Sequence, residues 1–239
     1  MCIRDRYSVE FLVIVSGVSA SFLVDEYRES LRNDEERLKV LYNLKIELDE
    51  ITNYCKERKG FFQRDSKIIN YLIDDKNIYL DSVKFISGTP FEVGIALIDY
   101  RAFSPPMNRY NSIISEGSLK FVKSDSIKDL LSTLNNTIYS YVVGNVEDEK
   151  IIKERLSSYI STQYPEIIVY GDDQNFNDYY KNLKKSIDGD MQFKAQLKLK
   201  SRTMFVKEFF LDRYIKTLNN LKGKIEKTLS EGKNLKGLQ

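Results

Sequence analysis

The spacing Asp173-x-Asn175-x-Asn177 comes nearest to a ligand-binding constellation in this sequence. Alternating oxygen side chains supply the first three ligands of a calcium loop, because a hard cation is held by several carboxylate and amide oxygens. The run then departs from that pattern. Asp178 stands where glycine permits the sharp turn, and Lys184 stands where a bidentate glutamate closes the coordination shell. It reads as a polar loop that caps the following helix, with no metal expected. Histidine is absent from all 239 residues, which removes the commonest general base and the commonest metal ligand together. Cys2 and Cys55 are too few for a zinc site, and Cys55 reads as a small buried apolar residue. No phosphate-binding glycine loop, nucleophile elbow or dinucleotide fingerprint occurs. Tyr139, Tyr141, Tyr159, Tyr179 and Tyr180 could line an interaction surface, but amphipathic core edges with a hydroxyl reaching water are the favoured reading. Lys194, Lys198, Lys200, Arg202 and Lys207 spread around one helix and read as a solvated basic face. No catalytic residue, cofactor site or metal site is expected, and no enzyme activity with them.

The elements that would carry any function begin with an apolar run. Phe11, Leu12, Val13, Ile14 and Val15 open it and Phe22, Leu23 and Val24 close it, with Gly17 near the centre and no charge between. At Asp25 the sequence turns abruptly charged. Crossing the hydrocarbon takes about 20 apolar residues, with a lower limit near 17, so the span must also take in Tyr7 to Glu10. Residues 7–24 are read as a transmembrane anchor. Two rivals stay open. One is a cleaved signal peptide, with Arg4 and Arg6 before the apolar run and Val18-Ser19-Ala20 as the cleavage site. The other is a buried core helix. Within the anchor, Ser16-xxx-Ala20 and Gly17-xxx-Ser21 are small-xxx-small spacings that would permit two such helices to approach closely.

The run VEFLVIVSGVSASFLVDEYRESLRNDEERLKVLYNLKIELDE, with Glu10, Gly17, Val24, Asp25, Glu26, Tyr27 and Glu29 at its marking positions, resembles the start of an uncharacterised family of bacterial single-pass membrane proteins. Tyr27 stands where that family has tryptophan, and Asp25-Glu26 where it has two asparagines. A second block, Asn108 to Leu134, is similar to a later segment of the same family. The resemblance implies an inner-membrane anchor with the soluble part outside the cytoplasm. Residues 1–6, MCIRDR, are read as a non-native tail, since the family begins with a longer basic segment.

The remainder points to an all-α domain, residues 25–231, followed by a frayed tail at 232–239. Four prolines and eleven glycines favour long helices over a turn-rich β fold. Lys+Arg 37 against Asp+Glu 35 gives no global field for nucleic acid. Leu41, Leu44, Leu48, Ile51 and Cys55 form one apolar stripe, and Leu211, Leu218, Leu221 and Ile225 form another. Neither stripe can be buried alone, so the first and last helices are expected to pack antiparallel in an elongated bundle behind the anchor. Between them, a segment near Leu80–Ile86, the stretch Met107–Ser115 stopped by Gly117, the long face from Ile127 to Pro165, bent or broken near Gly144, and Phe176–Ile187 are read as helices, and the apolar run Phe91–Phe103 as a buried helix or a strand, with helix favoured. Leu119–Val122 and the β-prone Ile167–Tyr170 are read as extended. The function expected is a membrane-anchored interaction or scaffold module of the bacterial envelope. Its partners would be the lipid bilayer and a protein, including a second copy of itself, with no nucleic acid. The alternative is a ligand-binding sensor bundle working with a separate signalling partner.

Overall fold

A computed structural model describes residues 3–74, 79–169 and 175–236, with side chains from Glu10 to Gly232 of these. Every regular element among them is helical. They are α1 (Ile3–Ile73), α2 (Leu80–Ser87), α3 (Pro90–Ile98), α4 (Asn108–Ser115), α5 (Asp125–Ser132), α6 (Tyr139–Gln163), α7 (Pro165–Val169), α8 (Phe176–Gly189) and α9 (Met191–Lys236). A 3-10 turn, Ser118–Phe121, stands where an extended link is expected, and α7 stands where Ile167–Val169 is expected to be extended. Proline at the first position of α7 explains the second difference, because its fixed φ starts a helix as readily as it ends one. Tyr170 to Asp173 lie outside the described residues. A π turn, Thr133–Ile138, joins α5 to α6, so the long face from Ile127 runs unbroken through Gly144.

Where one domain is expected, the chain forms two compact units. The first comprises Met1–Glu47, Asn108–Lys128 and Gly223–Gln239, and the second Leu48–Met107 and Asp129–Lys222. In the first unit, Val40, Leu41 and Leu44 of α1 and Ile225 of α9 are buried, and Lys45 pairs with Glu226 at 3.2 Å. A Cβ on Gly232 would lie 3.1 Å from the Leu38 side chain, so the absent side chain lets α9 close on α1. Ser124 caps α5, its Oγ accepting from the Ile127 N–H at 3.4 Å. Gly117, at φ 67°, ends the short α4 turn as its position predicts.

In the second unit α1 and α9 also run antiparallel, as the two leucine stripes require. Asp49 meets Lys222 at 2.5 Å, Lys59 meets Asp212 at 2.6 Å, and Asn70 accepts from Ser201 at 2.7 Å. Ten residues forward from Asp49 match ten back from Lys222, and eleven more on each helix reach Asn70 and Ser201. Leu48, Ile51, Cys55 and Phe62 are buried on α1, and Leu211, Tyr214, Leu218 and Leu221 on α9. A larger cluster joins Ile68, Ile69 and Leu72 to Val93 and Leu97 of α3, Leu156 and Ile160 of α6, Leu183 and Ile187 of α8, and Phe193 and Leu197 of α9.

Among the described residues no helix is long and apolar enough to cross a membrane. The expected anchor, 7–24, includes Tyr7, Ser8 and Val9, whose side chains lie outside the described residues. Of the frayed tail expected from 232, the backbone is helical to Lys236.

Truncating a stripe leucine tests the pairing. Leu48→Ala and Leu218→Ala should each destabilise the protein by roughly 2–5 kcal/mol, as buried leucine truncations do. Urea denaturation of the two variants measures it, and a loss below about 1 kcal/mol in both would place these side chains outside the core.

Candidate functional site

Three buried charged residues of this chain, Lys184, Lys200 and Glu47, do their structural work at helix ends. An α-helix leaves its first four N–H groups and last four C=O groups without partners, and the opposite partial charges there attract ions of matching sign. α1 ends without a basic residue in its last turn, and so does α3. A distant lysine serves each. Lys184 of α8 donates to the Leu72 carbonyl at 3.0 Å, the Asp74 carbonyl at 2.5 Å and Asp188 Oδ1 at 2.8 Å. Lys200 of α9 donates to the Leu97 carbonyl at 2.9 Å and the Asp99 carbonyl at 2.7 Å. In the first unit Glu47 of α1 does the converse, accepting from the Tyr110 N–H at 2.8 Å near the start of α4. All three side chains are buried.

Lys200 belongs to a buried ionic cluster. One turn-pair further along α9, Lys207 donates to Glu149 Oε2 of α6 and sits over the Phe62 ring at 3.8 Å. Both Lys207 and Glu149 are shut away from solvent. Asp65 of α1 accepts from Arg101 Nε at 2.8 Å and from its second nitrogen at 3.4 Å. Burial pushes the Lys200 ammonium down to about 8, opposed by Glu149 and reinforced by Lys207. Burial also lowers Lys207, against the charge and hydrogen bond of Glu149. A lysine amine depressed in this way is a nucleophile where substrate can reach it. Here Lys200 and Lys207 have no exposed surface, so the cluster ties helices together. This corrects the solvated reading of the basic stretch. Lys198 and Arg202 face solvent, while Lys200 and Lys207 face the core.

The tyrosines also divide. Tyr159 and Tyr164 both donate to Asp190 Oδ2, Tyr164 at 2.8 Å, while Asp190 Oδ1 accepts from the Gln192 and Phe193 N–H groups at 2.8 and 3.2 Å. Asp190 is therefore the cap of α9, held in place by two hydroxyls. Its carboxyl is kept below the usual range by the Tyr159 hydrogen bond first and by Tyr164 and the two N–H groups with it, while burial opposes. The Tyr159 hydroxyl rises to about 12 beside that carboxylate, with burial adding to the shift. Tyr179 and Tyr180 are core residues, Tyr139 rests against Phe103, and Tyr141 alone of the five is exposed, its ring 5.0 Å from Phe210. Cys55 is buried and unpaired, its thiol pushed up to about 12 by burial, which leaves it unreactive.

At the Asp173 loop, Asn175 Oδ1 accepts from the Asn177 N–H at 2.9 Å and caps α8, while Asp173 itself lies outside the described residues. No cluster of three or more potential metal ligands occurs among the described residues. A groove of about 700 Å³ lies between α6 and α9, lined by Arg155, Tyr159, Gln192 and Gln196 among others, and Gln196 Oε1 is buried there without a hydrogen-bond partner among the described residues.

In the expected anchor, Phe11, Leu12, Val13, Ile14, Val15, Phe22, Leu23 and Val24 are all exposed on an unbroken helix. Ser21 Oγ turns back to the Gly17 carbonyl at 3.0 Å, and nothing lies within 4 Å of a Cβ placed on Gly17. Ser16 and Ala20 are equally open.

Comparison with known proteins places nothing beside this chain: no family model, curated protein or solved structure matches it.

Two titration outcomes follow from the buried lysines. Lys200 is lowered from 10.5 to about 8 in the folded chain, so between those values the unfolded chain binds more protons and stability should rise with pH. The free-energy difference between the wild-type chain and Lys200→Met, read by urea denaturation from about pH 7 to 10, should shift in favour of wild type across that window. A flat difference would mean that the carbonyl cradle holds the proton as tightly as water does. Glu149→Gln should destabilise by roughly 3–5 kcal/mol, because it leaves a buried ammonium uncompensated. The double variant E149L/K207M should lose clearly less than E149Q alone.

Proposed function

We propose that this chain is a membrane-anchored, all-helical interaction or scaffold module that presents its folded units at a membrane surface. The observation that carries the reading is the exposure of the apolar start of α1. Phe11 to Val15 are five consecutive apolar residues, which at 100° per residue cover every side of a helix, and all five stand open to solvent. A helix that is apolar all round needs an apolar surrounding, and no other described part of the chain covers this one. Residues 7–24 would measure roughly 27 Å against a hydrocarbon thickness of about 30 Å, short enough that Glu10 and Asp25 would meet headgroups. The anchor is proposed to be single-pass in the inner membrane of a bacterial envelope, with the units outside the cytoplasm. The family resemblance of Glu10–Glu29 supports that placement. Self-association through Ser16, Gly17, Ala20 and Ser21 is consistent with the open space around them.

The ligand-binding sensor is favoured by the groove of about 700 Å³ beside Arg155 and Gln196. Lys200 and Lys207 of the ionic cluster have no exposed surface through which a substrate could reach them, which favours binding over catalysis.

The full chain should remain with membranes through high-salt and carbonate washing, because a spanning helix inserts irreversibly by comparison with surface attachment. Appearance in the soluble fraction with a new N-terminus at Ser21 would establish the signal-peptide reading instead. Val15→Arg should oppose insertion by roughly 2.5–3.5 kcal/mol.

A further inference from the structure

The outermost face of α9 carries a pattern that the fold does not use. Lys198, Arg202, Phe205, Phe209, Arg213 and Lys216 fall within an arc of about 80° at 100° per residue. All six are exposed, Phe205 at 71% and Phe209 at 52% of their full area. The core side of the same helix, Leu197, Met204, Lys207, Leu211 and Tyr214, lies opposite. Two phenylalanines therefore point directly away from the protein interior, with two cations before them and two after. Arg213 lies 5.7 Å from the Phe209 ring, and Lys198, Arg202 and Lys216 form no ion pair among the described residues.

We infer that this stripe docks a segment of another protein in which apolar residues are flanked on both sides by aspartate or glutamate. The inference rests on the interaction-module reading and names the surface and the chemistry of the partner. Exposed aromatic rings flanked by arginine are the composition of interface anchors, where a ring fills a pocket and the guanidinium meets a carboxylate. Charge selects among the occupants. Of the two acidic residues of α9 between Lys198 and Lys216, Asp212 is engaged by Lys59 at 2.6 Å and Glu208 is half-buried beside Ser66 and Lys207. A second copy packed face to face would bring like charges together and is disfavoured. A lipid surface is also a poor match, since a helix lying on a bilayer needs an apolar face along its whole length, and here cations occupy both ends of the arc. An acidic segment pairs with the four cations and covers both rings.

The test places the photo-crosslinker p-benzoylphenylalanine at position 205 of the full chain in its native membranes, with the same group at exposed Asn219 as the control. The expected result is a position-205 adduct to a different protein, its cross-linked peptide carrying apolar residues between acidic flanks. The double variant R202E/R213E should reduce that adduct by about tenfold or more, and R202K/R213K should largely retain it. Circular dichroism melting confirms that both variants stay folded, as exposed positions allow. An adduct of twice the chain's mass, adducts to lipid alone, a mapped segment without acidic flanks, an adduct indifferent to R202E/R213E, or none above the control would each overturn the inference. Carbonate washing of the same membranes separates the two readings. A chain that resists extraction but gives no adduct loses the stripe and keeps the anchor, and an extracted chain with the adduct does the reverse.

Discussion

Helix ends without local caps are the constraint around which the second unit is assembled. α1 runs for 71 residues and stops at Ile73 with no basic residue in its last turn. α3 stops at Ile98 with Asp99 in extended conformation. Buried carbonyls left unpaired are expensive, so each end requires a donor from elsewhere in the chain. Lys184 and Lys200 provide it, and in doing so fix the places at which α8 and α9 pass α1 and α3. Long flexible side chains suit the task, because the apolar stem packs in the core while the ammonium reaches the carbonyls. A neutral amine would still offer two N–H donors, so the Lys200 contact survives loss of its charge.

The second cation on that face of α9 has a different partner and a different consequence. Lys207 has Glu149 and the face of Phe62, so three helices, α9, α6 and α1, meet at one buried pair. A buried pair adds little net stability compared with apolar residues of the same volume, but it tolerates few alternative arrangements, since any shift leaves a charge unmatched. The leucine stripes of α1 and α9 would fit several registers one turn apart. Asp49–Lys222, Lys59–Asp212 and Asn70–Ser201 at the rim and Lys207–Glu149 inside allow only one.

The periodic apolar faces made the helices and the antiparallel pairing of the outer two legible in sequence, because burial of a stripe needs no knowledge of the partner. Gly117 was legible for a similar reason, since a cap acts within a few residues of its own helix. Lys184, Lys200, Lys207 and Glu47 were not. Their distant partners lie 58 to 112 residues away, and a lysine that caps a remote helix has the same spacing as one that faces water. One signal was present in the basic stretch itself. Lys200 and Lys207 repeat at seven residues in phase with Leu197, Met204 and Leu211, whereas Lys198 and Arg202 fall out of phase with them. Cations in step with a core stripe are buried or the stripe is broken, and an unbroken stripe on both sides favours burial. Division into two units had no signal of composition, because the boundary crosses α1 between Glu47 and Leu48 without a change in helical pattern.

The same phase argument separates the two exposed apolar features of the chain. Along Phe11–Val24 the apolar residues have no helical phase at all, and a partner that presents no particular side, a lipid medium, satisfies them equally from every direction. Phe205 and Phe209 repeat at four residues on one face, so their complement must itself have a side and a register. Cations at both ends of that face, and none of its acids unengaged, give the complement a sign as well. A feature without phase selects a phase of matter, and a feature with phase, spacing and charge selects a surface. Under the proposed reading the two would ask for different partners, one for anchorage and one for recognition, which is the division of labour a tethered interaction module would require.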